Sequence, residues 1–132
     1  MTFDPRTAGE GMFPGLVGIE VPEAGGGAAE GFLDVAAHHL APNGYLHAGA
    51  VVTLADTVSG YGCITSLPEG ARGFTTVELK ANFLGSAQKG RIVCRATLVH
   101  GGRTTQVWDA EVTDDRGRTL ALFRCTQLLL RA

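Results

Sequence analysis

Absences narrow the possibilities for this chain. No apolar run approaches the roughly 20 residues needed to cross a bilayer. The opening Met1-Thr2-Phe3-Asp4-Pro5-Arg6 lacks the apolar segment of a secretory leader. A cytoplasmic location, with no membrane partner, is the expectation. Cysteine is scarce: Cys63, Cys94 and Cys125 form an odd, scattered set without CxxC or histidine-rich spacing. They read as small free thiols in a reducing compartment, and neither a disulfide framework nor a metal site is expected. Charge of one sign is lacking too. With 11 Lys and Arg against 13 Asp and Glu the net charge is −2, which argues against nucleic acid as a partner. There is no Gly-x-Ser-x-Gly elbow, no GxGxxG and no P-loop. Serine-triad esterases, dinucleotide binding and P-loop chemistry are therefore set aside. No cysteine opens a helix beside a histidine, so cysteine hydrolysis is set aside as well.

What is present suits one globular domain with a real core: 132 residues, 45% apolar and 18% charged. Residues 1–12 are polar and read as an arm, and 13–132 as a single domain. Leu16 to Val21 is strand-like. Glu23-Ala24-Gly25-Gly26-Gly27 signals a turn, and Glu30 to Ala37 alternates, which together predict a hairpin. After Pro68-Glu69-Gly70 four strands follow at hairpin spacing. In the first of them Thr75, Val77, Leu79, Ala81 and Phe83 are expected inward, and Thr76, Glu78, Lys80 and Asn82 outward. The neighbours His38 and His39 would point to opposite faces of a strand, and His100 beside Gly101-Gly102 reads as a surface turn residue.

Between the hairpin and the last four strands the period changes. Val51, Leu54, Ala55, Val58 and Tyr61 recur at helical spacing over residues 48–64, with almost no polar face. A helix apolar all round is a buried helix. Gly49, Gly60 and Gly62 lower its propensity, and close backbone approach to a neighbour is the expected return. The order ββαββββ makes an α+β fold in which one buried helix lies against a curled antiparallel sheet. One helix cannot cover the ends and edges of six strands, so a homo-oligomer, dimer or tetramer, is expected.

Asp56 is the one carboxylate inside that apolar helix. Such an acid pairs with a backbone N–H or a hydroxyl such as Thr53 or Thr57, or it does chemistry. Free N–H groups at the start of the same helix, after Pro42-Asn43-Gly44-Tyr45-Leu46, are suited to stabilising an oxyanion.

The run Ala41-Pro42-Asn43-Gly44-Tyr45-Leu46-His47-Ala48-Gly49, followed by Leu54-Ala55-Asp56, resembles the hotdog-fold acyl-CoA thioesterases of the PaaI-like (phenylacetate-pathway) group. Those read Asn-Pro-x-Gly-x-x-His-Gly-Gly and then Leu-Ala-Asp or Leu-Ala-Glu. The spacing of nine from His47 to Asp56 matches, and the resemblance extends from about Phe13 to Leu130. Two positions depart: Ala41 stands where the group has Asn, and Ala48 where it has Gly.

The resemblance implies an acyl-CoA thioesterase with Asp56 as nucleophile or as general base on water. It implies the Ala48 N–H as oxyanion donor, with the Gly49 N–H next in line. His47 would orient the carbonyl or hold the loop; Asn43 would replace the missing amide or make the turn. Thr76 matches a hydroxyl that places water in some relatives. Lys80, Lys89, Arg91 and Arg103 are candidates to hold the coenzyme A head. Coenzyme A would arrive as part of the substrate, aryl, arylacetyl or medium-chain acyl, and no other cofactor is expected. A hotdog enoyl-CoA hydratase or dehydratase and a non-catalytic acyl-CoA-binding module are the alternatives.

One inference needs only helix geometry. Ala48 and Asp56, eight residues apart, are separated by about 12 Å along one helix. Both must lie within a few ångströms of the same carbonyl. If both act, they come from different subunits, and the site straddles a dimer interface.

Overall fold

The structure is a computed structural model and describes residues 2–132. A short helix α1 (Phe13–Val17) precedes the hairpin β1 (Glu20–Gly25) and β2 (Ala28–Asp34). A 3-10 turn (Ala37–His39) leads to the long helix α2 (Ala48–Ile64). Then follow β3 (Ala71–Phe83), β4 (Arg91–Gly101), β5 (Thr105–Thr113) and β6 (Thr119–Arg131). All strand pairs are antiparallel and form one sheet in the order β1-β2-β4-β5-β6-β3. Helix α2 packs across its inner face, touching every strand. This is the hotdog layout.

The helical period of 48–64 is realised with the expected bounds. Val51, Leu54, Ala55, Val58 and Cys63 enter the core with Ile92, Trp108 and Val112 from the sheet. Only Ala48 and Gly49, in the first turn, are exposed. A Cβ on Gly62 would lie 2.6 Å from the Trp108 ring, so this glycine sets how closely helix and sheet meet.

Three local readings are corrected. Leu16 and Val17 belong to α1, not to a strand. Pro14 suits the first turn of that helix, Gly18 ends it at φ 92°, and extended chain begins at Glu20. His38 and His39 lie on the 3-10 turn, where the buried His39 ring donates from Nε2 to Val17 O (2.6 Å) and accepts the Ala36 N–H at Nδ1 (2.9 Å). Both ring nitrogens are satisfied by backbone, which makes His39 a strut between the turn and α1.

The third correction bears on the site. The register of β3 against β6 shifts between Thr76 and Glu78, a β-bulge at Val77. One extra residue reverses the alternation before it. Leu79, Ala81 and Phe83 oppose Cys125, Phe123 and Ala121, on the expected inward face. Before the bulge Thr76 and Phe74 point inward, opposite the buried Gln127 and Leu129, whereas Thr75 pairs with the exposed Leu128. Thr76 therefore faces the helix side, contrary to plain alternation.

Candidate active site

The loop before α2 is held by its own polar atoms. Asn43 Oδ1 accepts the Tyr45 N–H at 3.1 Å, closing an Asx-type turn, and Gly44 takes φ 86°. The Leu46 N–H reaches Ala87 O (2.8 Å) and the His47 N–H reaches His39 O (2.9 Å), tying the loop to the β3–β4 connection and the 3-10 turn. His47 is the helix N-cap. Its backbone is extended, and its Nδ1 accepts the Gly49 N–H at 2.7 Å. An accepting Nδ1 places the ring proton on Nε2, on the exposed side chain.

The cap decides between the two candidate donors. The Gly49 N–H is occupied by His47, whereas the Ala48 N–H makes no hydrogen bond among the described residues and lies exposed in the first turn. Gly49 is thus not the open donor. A groove of about 700 Å³ runs beside this turn, lined by Phe13, Leu16 and Val17 of α1, by Leu40, and by His47 and Ala50.

Asp56 lies two helical turns further on, half-buried. Its Oδ1 is buried with no hydrogen-bond partner among the described residues. Pairing with Thr53 is not realised, because that hydroxyl donates to Gly49 O at 2.7 Å. Burial pushes the Asp56 carboxyl above its ordinary 3.8. Cys125 of β6 sits close by: burial lifts its thiol to about 12, with the Asp56 charge adding to the rise. Thr76 donates to Gln127 Oε1 at 2.6 Å, and Gln127 is fully buried. The Gln127 amide was not singled out from the sequence. Its only signal there is a polar residue in an inward position of an apolar strand.

The four cations do not form one cluster. Arg91 is bound to Asp34 (2.8 Å) and lies over the Phe32 ring. Lys89 precedes it, in the connection that packs on the His47 loop. Lys80 is exposed and cross-strand from Arg124, and Arg103 follows the far end of β4. That strand spans roughly 30 Å, so Arg91 and Arg103 do not share one phosphate within a protomer. Helix α2 runs unbroken from Ala48 to Ile64, so the separation of Ala48 from Asp56 along the axis stands at about 12 Å. A single chain does not bring them together.

Comparison with known proteins is consistent with this geometry. The thioesterase superfamily profile matches residues 43–121, from the Asx turn through the middle strands. A Listeria monocytogenes protein named 1,4-dihydroxy-2-naphthoyl-CoA hydrolase is 36% identical over 110 residues, covering 83% of this chain and 89% of its own. An Escherichia coli protein of the same name is 35% identical over 127 residues, covering 92% and 89%. Among solved structures, a Haemophilus influenzae thioesterase superimposes with a TM-score of 0.90 at 25% identity, over 99% of this chain and 93% of that one.

Proposed function

We propose a site for this chain, which belongs to the thioesterase superfamily and is a CoA thioester hydrolase, in which Asp56 of one protomer meets the Ala48 N–H of another. The observation that carries this reading is the pair of unsatisfied groups on one straight helix: a buried carboxylate oxygen, and a first-turn N–H about 12 Å away. Each lacks a partner among the described residues, and one carbonyl needs both.

In this mechanism the thioester oxygen accepts from Ala48 N–H. Asp56 attacks the carbonyl carbon directly, or takes a proton from the water that does. Negative charge builds on the oxygen at the helix N-terminus, where a fixed backbone donor stabilises it without reorganisation. Collapse breaks the C–S bond, and the thiolate leaves as CoA. On the general-base route it takes the proton that Asp56 removed from water; on the direct route water then hydrolyses the Asp56–acyl anhydride, freeing the acid and supplying the proton. A desolvated carboxylate is a stronger base than one in water, which suits the work assigned to Asp56. Thr76, turned inward by the bulge, is a hydroxyl for placing water. The cap leaves Nε2–H of His47 exposed for contact with substrate.

A second protomer has a surface to meet. β3 is an edge strand of 13 residues, and Val77, Leu79, Phe83 and Leu84 are 41–61% exposed along and just beyond it. Long apolar edges are rarely left open to water. We read the assembly as a dimer paired along this edge, with a dimer of dimers as its extension. Lys80, Lys89 and Arg103 line approaches to the coenzyme A phosphates from separate places.

For the acyl group we favour an aryl ring. The groove at the first turn of α2, where Phe13, Leu16 and Val17 face His38, His39 and His47, has room for it, and two relatives are named as naphthoyl-CoA hydrolases. Leu54-Ala55-Asp56, with Asp56 nine residues after His47, is the basis for reading the chain as PaaI-like. The test is thiol release from a panel of aroyl-, arylacetyl- and medium-chain acyl-CoAs. Turnover fastest with aroyl-CoA and abolished by Asp56→Asn is the expected result. Turnover that survives Asp56→Asn, or none with any member, rejects the assignment.

A further inference from the structure

Gln127 occupies an unusual place. It is fully buried on the inner face of β6, the next inward residue after Cys125, which itself sits close to Asp56 and Ser59. It belongs to a polar row across three strands, Thr76–Gln127–Gln106. Gln106 is fully engaged: its amide donates to Ser66 O at 2.9 Å and its carbonyl accepts the Trp108 ring N–H at 2.7 Å. Gln127 is engaged at one end only. Its Oε1 accepts from Thr76, while its Nε2 has no hydrogen-bond partner among the described residues.

A half-satisfied amide in a core is costly, and an apolar residue of equal size would remove the cost. Local violations of this kind are characteristic of functional or strained sites. Here the hydrogen bond has a direction. The Thr76 hydroxyl spends its proton on Gln127, so its oxygen is left as an acceptor. Asp56 Oδ1 is an acceptor too. A water that reached both acceptors would give a proton to each and keep a lone pair aimed elsewhere.

We propose that Gln127 is a positioning residue of the hydrolytic site: it locks the Thr76 hydroxyl as an acceptor for the attacking water, opposite the base Asp56. This rests on the reading that Asp56 and Thr76 handle that water. The bulge at Val77 is what makes the contact, since without it Thr76 would face the other side of the sheet.

The test is a double-substitution cycle on the intact protein, followed by thiol release. Gln127→Met keeps length and apolar volume and removes both hydrogen-bonding ends. It is expected to lower kcat by up to about a hundredfold with KM nearly unchanged. Its melting temperature should be equal to or above that of wild type, because the unpaired amide is gone. Thr76→Val should lose a similar factor, and the double variant should be no worse than the poorer single. Unchanged kcat in Gln127→Met, losses that multiply in the double variant, or activity that falls only in step with melting temperature overturns the proposal. If the methionine variant does not fold, Gln127→Leu takes its place: unchanged kcat overturns the proposal, and a loss that matches that of Thr76→Val without multiplying in the double variant supports it. Wild-type turnover sensitive to Asp56→Asn but indifferent to Gln127 rejects this inference alone. No wild-type turnover rejects the hydrolytic reading beneath it.

Discussion

His47 Nδ1 accepts the Gly49 N–H at 2.7 Å, and this one bond singles out Ala48 as the open donor at the head of α2. Substitutions at 47 and 48 should therefore have different signatures. Ala48→Pro removes the N–H at a helix position that tolerates proline. Its kcat should fall by about a hundredfold to a thousandfold with the fold retained, measured by thiol release and circular dichroism. Normal kcat would show that the oxyanion is held elsewhere.

Sharing of the site between protomers can be read by mixing. Asp56→Asn protomers retain Ala48, and Ala48→Pro protomers retain Asp56. Each hybrid dimer then has one intact site. Random pairing makes half of the dimers hybrid, so a mixture of two inactive proteins should recover roughly a quarter of wild-type activity. No recovery after verified subunit exchange counts against a shared site.

The Asp56 carboxyl sets a pH dependence of unusual sign. Its folded pKa is raised above 3.8 by burial, so the folded chain holds this proton more tightly than the unfolded one. The resulting stability is fully present below 3.8 and is lost as pH rises through the raised value. Asp56→Asn should therefore melt above wild type near neutral pH, with the gap closing on acidification. Activity runs the other way, since the ionised form works, and kcat/KM should decline as pH falls through the same value. A melting gap independent of pH would contradict this.

The cap at His47 is separable from any contact with substrate. Asparagine is a good N-cap and alanine is not, so His47→Ala should cost about 0.5–2 kcal/mol in denaturant melts while His47→Asn costs little. If His47 also touches the thioester, both variants lose kcat. If it only caps, His47→Asn remains active.

Edge pairing and core spacing have their own tests. Val77→Lys places a charge on the exposed edge strand and should yield monomers by sedimentation, with activity lost alongside. Gly62→Ala drives a methyl into the Trp108 ring and should cost about 1–3 kcal/mol. A melt unchanged by Gly62→Ala would mean that the helix lifts freely from the sheet.

The limits of α2, the small residues on it and the lone acid Asp56 were all legible in the chain. Each depends on local periodicity, and a helix closes its hydrogen bonds within a few residues. The Asx turn at Asn43 is equally local. Two strand-like readings failed to local chemistry: Pro14 and Gly18 framed a helix where β-branched content suggested a strand, and His39, read by strand alternation, was claimed by Val17 O and the Ala36 N–H.

The sequence by itself therefore determined the order of the six strands about the buried helix, though not the short α1, together with the acid that helix carries, since these follow from patterns within about a dozen residues. Only the tertiary structure decided that Thr76 faces inward and that Gln127 meets it; that Ala48 rather than Gly49 keeps an N–H free among the described residues was decided locally, by the cap. The first two are set by pairing between strands about fifty residues apart, where one bulge reverses the side chains from Gly73 to Thr76. The third turns on which ring nitrogen of His47 a neighbouring N–H happens to reach, and no periodicity records that.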